Sequence, residues 1–110
     1  MDIENVKKGV VDKGLQLIGN KIYKIILYGS YARGDFEEDS DVDIMLLLNC
    51  QRADLPKYRK MLSEVSSDAS LDNDVTVSLI VKDKETFYGK MDILPFYQNV
   101  QKEGIVLYDQ

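Results

Sequence analysis

The sequence predicts an α/β (α+β) fold, a small β-sheet with helices packed on it. Three observations carry this. Short runs rich in β-branched and aromatic residues, such as KIYKIILY at 21–28, read as strands. Apolar residues at helical spacing lie between them, as in Leu55, Tyr58, Leu62, Val65 and Ala69. Glycine, proline and aspartate punctuate the boundaries. A length of 110 residues suits one domain, 1–110, with one core.

The elements follow in order. Ile3, Val6, Val10 and Leu17, with Val11 and Ile18 alongside, place a helix over 3–18. Gly19-Asn20 stops it. The first strand, 21–28, ends at Gly29-Ser30. A short helix, SYAR, follows and is closed by Gly34; DFEEDS is a polar loop. DVDIMLLL, 41–48, is a second strand, solidly apolar after its first three residues, as in a sheet covered on both faces. Asp54 caps a helix that begins at Leu55-Pro56. SDASLDND reads as a loop, and DVTVSLIV, 74–81, as a third strand. Asp83 caps a short helix, KETFYGK; Pro95 opens a last helix that stops at Gly104; IVLY, 105–108, is a final strand.

Composition narrows the function. The net charge is −5 and the pI about 4.7. No Lys/Arg cluster has the density of a nucleic-acid footprint, so long nucleic acid is a poor fit as a partner. With no histidine, triads and zinc sites built on imidazole are excluded. Cys50 is the single cysteine, which fits a reducing cytoplasm and a small core filler at a strand end. No apolar run approaches the roughly 20 residues of a membrane span, and no signal segment is visible, so a cytoplasmic protein is expected.

The stretch LYGSYARGDFEEDSDVDIMLLL carries the chemistry. Gly29-Ser30 stands at a strand end and a helix start. Glycine admits a phosphate close to the backbone, helix N–H groups point at it, and the serine hydroxyl adds a donor. Asp41 and Asp43, two apart on a strand, project from one face with Cα atoms about 6.6 Å apart. Such a pair suits Mg²⁺, which binds through one or two carboxylates plus substrate phosphates. Val42 and Ile44 point the other way, into the core. Six acids crowd residues 35–43, and a cation relieves that crowding. A third carboxylate must come from elsewhere. Asp74, sharing a strand face with Thr76 and Ser78, is preferred, and Asp72 is the alternative. Tyr28 reads as structural, Tyr31 as lining the site, and Phe96 and Tyr97 as helix anchors on the core.

Gly29-Ser30, Asp41-Val42-Asp43 and a distant acid resemble the nucleotidyltransferase superfamily typified by DNA polymerase β. The fuller string, with its Ala-Arg-Gly and Ser-Asp-x-Asp elements, is similar to the minimal nucleotidyltransferase branch. The resemblance implies a nucleotidyltransferase fold with a small mixed sheet. It implies Mg²⁺-dependent transfer of AMP from ATP to a hydroxyl, with two Mg²⁺ ions. Carried over by position, Gly29, Ser30, Arg33 and Ser40 meet the nucleotide, and Asp41, Asp43 and Asp74 hold metal or act in catalysis. Arg33 either steadies phosphates or pairs with a local acid. Minimal members accompany a HEPN-domain toxin, which they silence by adenylylating a tyrosine; the implied partner is such a toxin. The alternatives are an antitoxin that neutralises by binding alone, and transfer to a small molecule or an RNA end.

Overall fold

A computed structural model describes residues 2–110. Helix α1 (Ile3–Ile18) starts at Asp2, whose carboxylate accepts the Glu4 N–H at 2.9 Å. Its buried stripe is Val6, Val10, Gly14 and Ile18. Leu17, expected on that stripe, is exposed: it lies one residue off the face that Ile18 occupies. Gly14 is used for proximity, since a Cβ there would sit 3.3 Å from Ile22 Cδ1.

After a 3-10 turn, β1 (Ile22–Tyr28) leads into the one-turn helix α2 (Ser30–Arg33), and β2 (Val42–Leu48) follows the acidic loop. Gly34 closes α2 in the left-handed region, φ 84°, as its sequence position requires. Asp54 does not cap α3 (Leu55–Asn73): it is helical itself, ends a 3-10 turn at Arg52–Asp54, and makes no side-chain cap bond.

The segment read as a loop at 67–74 is mostly helix, because α3 runs on to Asn73. Its serines bond inward. Ser66 Oγ donates to the Val77 carbonyl at 2.7 Å, and Ser70 Oγ accepts the Val77 N–H at 2.9 Å. Polar side chains that look like loop in sequence thus tie the helix to the start of β3 (Val77–Asp83). The strand begins three residues later than expected. Asp74 sits instead at the helix C-cap, φ 51°, in the left-handed region.

Helix α4 (Lys84–Gly89) starts where expected. Asp83 Oδ2 accepts from the Thr86 N–H at 2.9 Å and from its hydroxyl at 2.8 Å. Helix α5 (Pro95–Glu103) and β4 (Ile105–Asp109) complete the chain.

The sheet order is β3-β2-β1-β4; β1 is antiparallel to β2 and β4, and β2 is parallel to β3. The sheet is therefore mixed. Strand alternation divides its two faces. Val42, Ile44, Leu46 and Leu48 join the larger core under α1 and α3. Met45 and Leu47 join Phe87, Tyr97 and Val100 under α4 and α5. This explains the solid apolar run of β2, buried on both sides; each such side chain contributes about 1.5–3 kcal/mol. Among the described residues no helix is long and apolar enough to cross a membrane.

Removing the Asp83 cap is expected to destabilise the fold. Asp83→Ala should lower the unfolding free energy by about 0.5–2 kcal/mol, read as a shift in the urea midpoint.

Candidate active site

Tyr28 pairs with Asp43 across the antiparallel β1–β2 ladder. The chain leaves β1 at Gly29, with φ 77° and ψ −157°, a conformation that is essentially glycine-only. A Cβ at Gly29 would overlap Asp43 Oδ2 and lie 3.2 Å from its Cγ. The turn backbone therefore rests against the carboxylate. Helix α2 begins at once, and its leading N–H groups have no intrahelical acceptor. The Gly29 carbonyl is taken by the Ala32 and Arg33 N–H groups, each at 3.1 Å.

Asp43 faces the α4/α5 side, opposite Val42 and Ile44, as the alternation predicts. It borders a cleft of about 480 Å³. Tyr28, Gly29, Ser30, Arg33 and Asp43 form one wall, and Phe96, Asn99, Val100 and Glu103 of α5 the other. Asp41, just before β2, is exposed. Three larger clefts exist: two, about 630 and 610 Å³, lie toward the far end of β3, and one of about 680 Å³ lies around Asn49 and Cys50. They contain none of the turn or the aspartate pair.

Arg33 pairs with local acids: its Nε donates to Asp35 at 3.2 Å and its Nη1 to Glu103 at 3.4 Å. The hydrogen bond to Asp35 first, and the Glu103 carboxylate further, push its pKa up. Ser40 holds the acidic loop, its Oγ accepting the Glu37 N–H at 2.8 Å, and its side chain is not on the cleft wall. Tyr31 stacks on Phe36, centroids 4.3 Å apart, instead of lining the cleft. Tyr97 is a core anchor, whereas Phe96 is 43% exposed.

The strand position expected for Asp74 is corrected. In the parallel register Asp43 stands beside Ser78, and Val42 beside Val77, so Asp41 neighbours Thr76. Asp74 lies before the strand, exposed at the α3 C-cap. Asp72, the alternative, is exposed within α3. Among the described residues no three His, Cys, Asp or Glu side chains gather as a metal-binding group. Two carboxylates still fit Mg²⁺, which completes its shell with water and substrate phosphates. Asn99 and Glu103 went unread in the sequence because they reach the cleft through packing of a remote helix. Their i,i+4 spacing on α5 is the only local signal.

Burial first, and the Asp41 charge second, push the Asp43 carboxyl above its ordinary value, with Arg33 opposing. Burial and then the Asp43 charge push Tyr28 up to about 12. A carboxyl raised in the folded state stabilises the fold fully below its unfolded pKa, and that contribution is lost as pH rises through the folded value. At neutral pH the Asp43 charge thus opposes folding. Asp43→Asn is expected to raise the urea midpoint of the metal-free protein at pH 7, with the gain shrinking below the ordinary carboxylate range. An unchanged midpoint at pH 7 would contradict this.

Comparison with known proteins identifies the family and the fold. Residues 3–107 match the family model of a nucleotidyltransferase domain. Two candidate protein adenylyltransferases of Methanocaldococcus jannaschii are each 36% identical to the chain. One aligns over 88 residues, 80% of this chain and 80% of that protein. The other aligns over 91 residues, 81% and 82% respectively. A crystal structure of a candidate nucleotidyltransferase from Sulfolobus solfataricus has a TM-score of 0.64 at 20% identity, covering 97% of this chain and 79% of that one. A toxin–antitoxin structure with AMP-PNP has 0.59 at 21% identity, covering 94% and 73%. A toxin–antitoxin MntA–HpeT variant has 0.58 at 20% identity, covering 91% and 71%. The solved structures agree in fold, and the family match and the closer relatives carry the assignment further: the chain belongs to the nucleotidyltransferase domain family and is an enzyme of the nucleotidyl-transferring class, EC 2.7.7 type.

Proposed function

We propose that this nucleotidyltransferase moves AMP from ATP, with Mg²⁺, to a tyrosine hydroxyl of a HEPN-type toxin, and so acts as its antitoxin in the cytoplasm. One observation carries the reading: the Asp43 carboxylate, disfavoured by burial and by Asp41, lies against the Gly29 backbone at the head of α2. A cation with a phosphate chain satisfies both halves of that site at once. The names of the Methanocaldococcus relatives support a protein acceptor. The AMP-PNP in one structural neighbour supports a nucleoside triphosphate, and that neighbour's being a toxin–antitoxin supports the partner.

Gly29, Ser30 and the α2 N–H groups would hold the triphosphate. Arg33 would exchange Asp35 and Glu103 for a phosphate oxygen. Asp41 and Asp43 would hold one or two Mg²⁺ ions, which supply charge neutralisation at the transferring phosphoryl group. Ser40 fixes the turn that delivers Asp41. The acceptor oxygen attacks the α-phosphorus, its bond to the bridging oxygen breaks, pyrophosphate leaves and a proton is released. Much of the rate would come from positioning and electrostatics.

A binding-only antitoxin is the second reading. It is favoured by Ser78, a hydroxyl where a carboxylate beside Asp43 would complete a three-acid site. Labelled ATP, Mg²⁺ and the purified toxin partner separate the two readings. Transfer to tyrosine, reduced about 100-fold or more in Asp41→Asn and Asp43→Asn, is expected. Full neutralisation by the double variant, without labelled product, would instead establish binding alone. Ser78→Asp should tighten Mn²⁺ binding about tenfold by adding a charged ligand, read by electron paramagnetic resonance titration.

A further inference from the structure

The free edge of the sheet at β3 has the makings of a docking strand. Because the Thr76 carbonyl accepts the Val42 N–H, even-numbered residues of β3 direct their backbone groups at β2. Odd-numbered residues direct theirs outward. Helix α3 satisfies part of this row: Ser66 and Ser70 take both groups of Val77, and Arg59 Nη2 reaches the Val81 carbonyl at 3.4 Å. The Leu79 N–H and carbonyl and the Val81 N–H have no partner among the described residues. Beside them runs a groove of about 610 Å³, floored by Leu79 and Ile80 and walled by Leu94, Pro95 and Phe96. Ile93, just outside, is 71% exposed.

Charge identifies the occupant. In a chain of net charge −5, Arg59 and Lys82 line this groove, and Arg52 and Lys90 line the adjoining cleft. None of the four has a carboxylate within ion-pair distance among the described residues. Such cations discourage edge-to-edge pairing with a second copy, which would bring like charges together. They favour a strand that alternates apolar and acidic side chains.

We propose that the β3 edge binds an extended, acidic and apolar segment of a partner protein, added as a fifth strand. Backbone bonds to Leu79 and Val81 would give affinity, and the groove and cations would give selectivity. This does not rest on AMP transfer, and its test reads amide exchange rather than catalysis.

The probe is a synthetic peptide alternating valine and glutamate, with its valine–lysine counterpart as control. At a peptide concentration about ten times Kd, exchange of the Leu79 and Val81 amides should slow about tenfold. Amides already in the β1–β2 ladder, such as Met45, report that the fold is intact. The effect should weaken with salt, and R59E with K82E should reverse the preference toward the lysine peptide. Unchanged exchange with both peptides, protection confined to β4, or protection of Leu79 in the peptide-free protein together with dimers in sedimentation, would overturn it.

Discussion

Gly29 turns the chain out of β1 in the space that any side chain would take from the Asp43 carboxylate. The rest of the site depends on this close approach. It sets the direction in which α2 leaves the sheet, and hence where its free N–H groups point. It also leaves the carboxylate partly buried against backbone. An alanine here would meet both a forbidden backbone conformation and an occupied volume. The turn and the acid are thus one device, held in register by the Tyr28–Asp43 pair.

The surrounding electrostatics follow from that contact. Asp43 is half-buried beside a second acid, and Arg33 compensates it only at a distance while bound to Asp35 and Glu103. An arrangement that works against folding at neutral pH is understandable where a ligand supplies the missing positive charge. The ion pairs of Arg33 tie α2 to the end of α5, so the two walls of the cleft are joined by a bond that a phosphate could compete for. Phe96 borders both this cleft and the groove along β3, placing one exposed ring between them.

Much of this was legible in the sequence where the signal was local. Asp41 and Asp43 could be assigned to a face because strand alternation has a period of two, and Val42 and Ile44 mark the opposite face. Gly29, Gly34, Asp83 and Pro95 announced boundaries through backbone restrictions that act within a few residues. Asp74 was misplaced on a strand because the polar end of α3 resembles a loop unless one knows that Ser66 and Ser70 bond to β3. Three residues of error moved the strand start and left Asp74 at the helix C-cap. Ser78 became visible only through the β2–β3 register, and the α5 wall only through tertiary packing. Both are non-local facts, which periodicity does not encode.

The site is also divided by sequence distance. Tyr28 through Asp43 carry the turn, the short helix and both carboxylates, and neighbouring antiparallel strands join the two ends of that stretch. The opposite wall and the strand bearing Ser78 arrive from far along the chain. The turn, the short helix and the carboxylate pair are therefore one contiguous cassette, whereas the facing wall and the neighbouring strand are separately encoded. Substitutions along β3 can accumulate without disturbing the cassette's internal pairing, whereas those in α5 also reshape the wall it faces.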